Sequence, residues 1–202
     1  MAITYPLTMP SHTGVANITL RAVNQTSMSS SPFTYSQQVF SHQGKRWEAE
    51  VQLPPMKKDD AEIWIAWLLS LKGQLGTFEL GDPTGATARG ALGGTPITNG
   101  VDQTGGSIDI DGCTAEVTGW LKAGDYVQIG RHLHKVLQDV DTNADGEATL
   151  ELWPSVRFPI ANNSEIITSN PVGRFRLNSG AQDWSIDTAS VYGITFAAVE
   201  DI

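Results

Sequence analysis

Short runs of β-type residues, each closed by a turn sequence, occupy most of this chain and constrain its fold more than any other feature. The clearest run is RWEAEVQL (46–53), in which apolar and polar residues alternate with the period of a strand. The apolar face of that run would carry Trp47, Ala49, Val51 and Leu53. Two earlier runs, ITLRAVN (18–24) and FTYSQQVF (33–40), also read as strands. Because the runs are too short and too evenly broken for parallel α/β units, the sequence predicts a mainly β fold.

One stretch, residues 59–72, has the character of a helix. Asp59 followed three residues later by Glu62 resembles a capping box, and Gly73 supplies a left-handed stop. The apolar residues surround most of the helix circumference and are Ile63, Trp64, Ile65, Trp67, Leu68, Leu69 and Leu71. Such a helix has to be covered on more than one side, either by a sheet that wraps it or by a neighbouring subunit.

The chain changes character in its middle third. Residues 81–106 are rich in Gly and lack apolar periodicity, so we expect a long loop that leads into an insertion. The strands that follow have the spacing of a small antiparallel barrel. Residues 83–168 hold 11 acidic and 5 basic residues, a net charge of −6, whereas the rest of the chain carries −3. We therefore predict an inserted β-barrel domain at 83–168, and a second domain built from residues 1–82 and 169–202.

The last run, residues 191–199, is largely apolar at both odd and even positions. This pattern is typical of a central strand in a sheet that is covered on both faces. We expect that strand to pair with the N-terminal strands, which would close the second domain from both chain ends.

Composition argues against several classes of function. The formal net charge of −9 is unsuited to a direct grip on nucleic acid, which requires clustered Lys and Arg. No apolar run reaches the roughly 18 residues that cross a bilayer, so no membrane insertion is expected. The first 14 residues lack the pattern of an export signal, which favours synthesis in the cytoplasm. Cys113 is the only cysteine, so no disulfide within the chain is possible, and a buried thiol is expected.

Three motifs carry a resemblance to a known family: GTFELGD (76–82), LKAGDYVQIG (121–130), and WSID (184–187) with the terminal strand after it. In their order along nearly the whole chain they resemble the distal tail proteins of long-tailed bacteriophages. The resemblance implies a β-sandwich-like ring domain with one α-helix, formed by both chain ends, and a smaller antiparallel β-barrel that projects outward.

The same resemblance implies a structural role in the virion, without enzymatic activity or a cofactor. The expected partners are copies of the chain itself in a closed ring, often of six subunits, the tail tube protein, and the tail hub or tip proteins. The functional residues would then be those at interfaces between subunits. Trp64, Trp67 and Leu68 on the helix, and Tyr192, Ile194 and Phe196 on the last strand, are the expected packing or contact positions.

Two alternative functions belong to other classes. A carbohydrate-binding module would use exposed aromatic rings, and Trp120 and Trp153 in the middle segment are the candidates. A tail-associated hydrolase would need a catalytic group, but the chain lacks a Gly-x-Ser-x-Gly motif, a His-Glu-x-x-His motif and a phosphate loop. Catalysis would then depend on residues scattered along the sequence.

Two possible metal motifs are better explained without a metal. Residues 141–146, DTNADG, copy the first half of a calcium loop, but Leu152 stands where the closing Glu would be required, so a plain turn is expected. His132 and His134 share one side of a predicted strand, but no third ligand lies near them in the sequence.

Overall fold

The computed structural model describes residues 2–202, in which one α-helix and twelve strands form. The helix is α1 (Lys58–Ser70). The strands are β1 (Asn17–Ser30), β2 (Gln37–Gln52), β3 (Thr77–Leu80), β4 (Gly94–Thr98), β5 (Gln103–Cys113), β6 (Tyr126–Ile129), β7 (His132–Val136), β8 (Ala148–Ile160), β9 (Ile166–Ile167), β10 (Gly173–Leu177), β11 (Trp184–Ile186) and β12 (Tyr192–Glu200).

The first sheet combines strands from both ends of the chain. Its order is β1-β2-β12-β10-β3, with β11 also paired to β12, and all of these pairs are antiparallel. The expected pairing of the last strand with an N-terminal strand is confirmed, since Phe196 lies opposite Val51 in the β12–β2 ladder. The expected cover on both faces of β12 is wrong, because Thr195 and Ala197 are exposed.

The covered face of the first sheet is apolar, and two different elements cover it. Residues directly opposite each other on paired strands point to the same face, so Val51 and Phe196 share this face with Ala49 and Ala198. At one end the face packs on α1, where the rings of Trp67 and Phe196 are 5.7 Å apart. At the other end Trp47 packs on the barrel, with its ring 6.1 Å from that of Tyr126. The helix and the barrel thus cover different ends of the same face of the sheet, and the opposite face is open.

Helix α1 begins one residue earlier than predicted, and its N-terminus lacks the expected capping box. Its N-cap is Lys57, which has no side-chain capping bond, so Asp59 lies inside the first turn. An acidic residue there still complements the helix dipole. The helix ends at Ser70, two residues before the predicted end at Lys72. The left-handed conformation begins at Lys72, with φ 51°, and continues at Gly73, where a Cβ would lie 2.9 Å from the Cα of Gly180.

The second sheet closes nearly into a barrel, with the order β4-β5-β8-β7-β6-β9. An isolated bridge between Ile97 and Glu165 brings the two outer strands together. The barrel has its own core, which includes Ile108, Ile110, Trp120, Leu121, Val127, Val136, Leu150 and Leu152. The predicted mainly β fold, with one helix, a sandwich-like sheet body and a small antiparallel barrel, is confirmed.

The segment at 81–106 is less irregular than predicted, since it contains β4 and the start of β5. Its remaining loop is fixed to the barrel by Asp125. The buried carboxylate of Asp125 accepts from the backbone N–H of Arg89 at 3.1 Å and of Lys122 at 2.9 Å. These bonds keep the pKa of Asp125 below its usual value although burial raises it.

The N-terminal part of the first sheet continues into a long projection. The three strands predicted at 18–24, 33–40 and 46–53 are two, because β1 and β2 pair as one hairpin from Asn17 opposite Gln52 to Ser30 opposite Gln37. Only the part of β2 near residue 50 also pairs with β12. Residues 25–43 extend beyond the sheet as a two-stranded ribbon, here called the arm.

Candidate functional site

The arm is the most exposed apolar part of the described chain. Apart from the half-buried Ser31, every residue of the arm is exposed, and Phe33 at its tip is 92% exposed. The other large apolar side chains that it presents to solvent are Met28, Tyr35, Val39 and Phe40. Residues 22–44 contain no Asp, Glu, Lys or Arg. An isolated two-stranded ribbon that leaves large apolar side chains in solvent is only marginally stable in water, so the arm is a candidate contact surface.

The base of the arm is braced by strand β8 of the barrel. The indole N–H of Trp153 donates to Asn24 Oδ1 at 2.7 Å, and Lys45 Nζ donates to Ser155 Oγ at 3.2 Å. The Arg157 guanidinium also donates to the Lys45 carbonyl oxygen. The direction in which the arm leaves the sheet is therefore fixed by side chains of the barrel.

A second uncovered apolar surface lies on α1. Ile63, Ala66 and Leu69 follow one another at intervals of three residues, which places them along one side of the helix. Ile63 is 49% exposed and Leu69 is 56% exposed, whereas their neighbours Trp64 and Leu68 are buried. We call Ile63, Ala66 and Leu69 the helix stripe. Of the two covers expected for the apolar helix, the sheet supplies one and leaves this stripe to solvent.

A buried ionic cluster, here called the junction, joins the first sheet to the barrel. Glu200 at the end of β12 receives the Arg157 guanidinium at 3.0 and 2.9 Å, one bond to each carboxylate oxygen. The Trp47 backbone N–H donates to Glu200 at 3.0 Å, and His132 Nδ1 lies 3.1 Å from the carboxylate. Burial raises the pKa of Glu200, but these hydrogen bonds outweigh it and lower the pKa to about 2. Glu200 is therefore held as a carboxylate that binds both bodies together.

His134 lies beside the junction and is kept neutral. Its ring is buried, and Nδ1 lies 2.6 Å from the Pro154 carbonyl oxygen, a position that requires the proton on Nδ1. Burial lowers the pKa of His134 to about 4, because a charged imidazole would lose its hydration. A neutral, immobilised histidine of this kind serves packing and orientation.

An open cleft of about 350 Å³ lies next to the junction, between the start of β7 and the end of β8. Its walls are largely apolar and include the exposed ring of Phe158. Most of its polar side chains have partners: Arg157 and His132 hold Glu200, and His134 bonds to Pro154. Ser164 donates to the Ala161 carbonyl oxygen, and the more exposed Arg131 lies 3.9 Å from Asp201. The cleft could accommodate a small molecule, but Arg157, His132 and His134 would have to give up these hydrogen bonds to act as catalytic groups.

The six residues predicted as packing or contact positions are all packing positions within one copy of the chain. They belong to the core of the first sheet and are Trp64, Trp67, Leu68, Tyr192, Ile194 and Phe196. The rings of Trp64 and Trp67 meet edge to face at 5.6 Å.

The two tryptophans predicted to be exposed have different environments. Trp120 is fully buried, so its predicted exposure is wrong: its ring fills the barrel core and its indole N–H donates to the Gly93 carbonyl oxygen at 3.0 Å. Trp153 is half-buried, with its ring 4.5 Å from that of Trp47. Neither ring lies free on the surface as a stacking platform for a sugar.

The two metal motifs are occupied by internal hydrogen bonds. In the 141–146 turn, Asp141 accepts from the Gly119 N–H, and Asn143 accepts from the N–H groups of Asp145 and Glu147. His132 and His134 lie with ring centroids 6.4 Å apart. Within residues 2–202, no group of three or more His, Cys, Asp or Glu side chains is arranged to hold a metal ion.

Sequence reasoning missed the arm and the junction, although both leave a trace. For the helix it predicted a need for cover on more than one side but did not identify the residues of the stripe. The 23 residues between Arg21 and Lys45 lack charge, and that gap can be read directly from the sequence. Glu200 continues the buried series Tyr192, Ile194, Phe196 and Ala198 at a spacing of two, which marks it as an inward-facing acid. Its partner Arg157 has no comparable signal.

Comparison with known proteins provides no family for the chain. No family model matches it, and a search of curated proteins gives no match. In the described part of the chain, no helix is long and apolar enough to cross a membrane.

Proposed function

We propose that this chain is a structural component of a bacteriophage tail, a distal tail ring protein that joins the tail tube to the tip or hub. In this role it acts without catalysis or a cofactor and assembles with copies of itself into a closed ring, most simply a hexamer. Its further partners are the tail tube protein and the hub or tip proteins, and its final location is the virion. The arm is the observation that carries the proposal.

The arm supports an assembly role because a single copy leaves it uncovered. Soluble monomers keep exposed sheet edges short or charged, which prevents pairing with other chains. Here both ribbon edges are open, and the arm contains no Lys, Arg, Asp or Glu. An arm of this composition is suited to lie against another protein surface.

The junction supports the same role in a different way. A ring subunit has to present its contact surfaces at fixed angles, and Arg157 links the carboxylate of Glu200 to the backbone at the base of the arm. The two bodies and the arm are thereby held in one arrangement. This arrangement also ties up the ionisable groups that an enzyme would use for catalysis at the neighbouring cleft.

The sugar-binding alternative has less support. It depended on Trp120 and Trp153, and the first of these is buried in the barrel core. Phe158 is exposed at the cleft, but no second ring lies free beside it, since the stacked His132 is held by Glu200.

Mass measurement across a range of protein concentrations, combined with negative-stain imaging, tests the proposal. We expect a ring, and six copies of 21.8 kDa give about 131 kDa. Addition of purified tail tube protein and hub protein should give a larger complex that contains the ring. A chain that stays monomeric at every concentration and binds neither tail partner would overturn the proposal. So would turnover of cell-wall or capsule polysaccharide by the purified chain.

A further inference from the structure

The arm and the helix stripe are separate surfaces on each copy. The arm continues β1 and β2 at one edge of the first sheet. The helix lies over the other strands, since the ring of Trp67 is 5.1 Å from Phe78 on β3 and 5.7 Å from Phe196 on β12. Both surfaces are exposed, so they do not cover each other within one copy.

Two different surfaces that fit each other produce a closed ring or an open filament, whereas one surface that fits itself produces a dimer. A contact between unlike surfaces is repeated from copy to copy until the rotation closes. The closed ring of the proposed function therefore requires a pair of unlike surfaces on each copy. The arm and the helix stripe form such a pair.

Charge favours this pair over other parts of the surface. Each copy carries a net charge of −9, so copies repel one another wherever acidic surfaces meet. The arm has no Asp, Glu, Lys or Arg, and neither do residues 63–71, which contain the stripe. Beyond the end of the helix, the exposed Lys72 precedes a further exposed apolar residue, Leu75.

The size of the arm is adequate for an interface. An aromatic side chain carries roughly 150–250 Å² of surface, so Phe33, Tyr35 and Phe40 offer on the order of 400 Å², about half of what one partner contributes to a standard interface. Six residues of extended chain on each side of the ribbon reach about 20 Å. That length spans several turns of a neighbouring helix.

We infer that the arm of one copy docks on the helix stripe of the next copy and covers its Ile63, Ala66 and Leu69. The occupant of the stripe is thus a second copy of this chain. The inference rests on the proposed ring and names the two surfaces that build it. Phe33 at the tip and Phe40 on one face of the ribbon are the contact residues on the arm side, and Val39, the chain neighbour of Phe40, lies on the opposite face at the margin of the contact.

Cross-linking with introduced cysteines tests the pairing. Cys113 is buried and its pKa is raised to about 11 by burial and by Asp111, so the unchanged chain is a non-reacting control. A chain that carries both Val39→Cys and Leu69→Cys, treated with a short bismaleimide, should give a ladder of linked copies. Peptide mapping should locate the links between positions 39 and 69. Each single variant should give no linked dimer.

The single variants also distinguish the other possible contacts. A linked dimer of the Val39→Cys variant would mean that the arms of two copies contact each other. A linked dimer of the Leu69→Cys variant would mean that two helix stripes contact each other. Either result would overturn the inference. A double variant that forms rings by negative stain but gives no ladder would overturn it as well, while the proposed function would stand. If the unchanged chain forms neither rings nor tail complexes, the proposed function itself fails.

Removal of the arm's apolar surface provides an independent measurement. We expect Phe33→Ser combined with Phe40→Ser to weaken association between copies roughly thirtyfold, as loss of central aromatic contacts does. Circular dichroism should be unchanged, because both rings are exposed in the single copy. Leu137→Ser is the matched control, since Leu137 is a half-exposed apolar residue of the barrel outside both surfaces. Equal association of the unchanged chain and the arm variant would contradict the inference.

Discussion

The junction and the arm meet at Lys45, yet they differ in the kind of side chain that is buried and the kind that is exposed. At the junction, the buried Glu200 and the partly buried Arg157 and His132 satisfy one another within the chain. In the arm no residue other than His42 can carry charge, and the apolar side chains lie in solvent. The comparison separates two purposes: the junction holds one copy together, and the arm is left for something outside that copy. Substitutions at the junction should therefore change folding, and those in the arm should change association.

The largest effect on folding is expected for Glu200→Ala. It leaves the largely buried Arg157 guanidinium without its carboxylate, and loss of one partner of a buried pair costs about 3–5 kcal/mol. Urea denaturation at pH 7 measures the free energy of unfolding. Glu50→Ala, an exposed acid on the open face of β2, is the control and should change it by less than about 0.5 kcal/mol. A Glu200→Ala loss as small as that of the control would show that the junction contributes nothing to folding.

A pair of adjacent leucines on α1 gives the next largest difference. Leu68→Ala removes a buried side chain of the core and should cost about 2–5 kcal/mol. Leu69→Ala removes an exposed member of the stripe and should cost less than about 0.5 kcal/mol in the monomer. Denaturation of both variants at low protein concentration measures the free energy of unfolding without a contribution from association between copies. Equal costs would mean that the two faces of the helix do not differ as described.

Acid should weaken the junction region in two stages. The folded pKa of His134, about 4, lies below its ordinary 6.5, so the unfolded chain binds the proton first and stability falls as the pH drops from 6.5 to 4. The pKa of Glu200 is lowered from 4.5 to about 2, so protonation of this carboxylate causes a further loss of stability as the pH falls from 4.5 to 2. From pH 7 to pH 4.5 the His134 contribution is about 2 kcal/mol. His134→Gln should remove that part of the decrease, and an unchanged pH profile in the variant would contradict the assignment.

The smallest effect on folding is expected in the arm. Phe33→Ser should change the free energy of unfolding by less than about 0.5 kcal/mol, because the ring is already exposed in the folded chain and gains little exposure on unfolding. Chymotrypsin digestion sharpens the comparison, since cleavage near Phe33 and Tyr35 should be fast in isolated copies and slow in rings. Rapid cleavage at the arm in rings would place the arm outside the contact.

The sequence predicts what depends on neighbours along the chain. The alternation in RWEAEVQL gave the inward face of β2, and the apolar stretch before Gly73 gave the helix. The arm escaped prediction because its residues 25–36 are Ser-rich and resemble a loop, and their pairing depends on partners across the hairpin. Trp120 was misplaced since its bond to Gly93 joins residues distant in sequence. The junction has the same origin, for Arg157 meets Glu200 only after both sheets have formed.

An arm without charge also determines how assembly should respond to ionic strength. Contacts between charged patches weaken as salt is added, but here the contact is apolar and the repulsion comes from a net charge of −9 on each copy. Salt screens that repulsion and leaves the apolar contact intact. Association measured by light scattering should therefore strengthen between low and moderate salt, and rings that form readily in dilute buffer but dissociate at high salt would point to a charged contact instead.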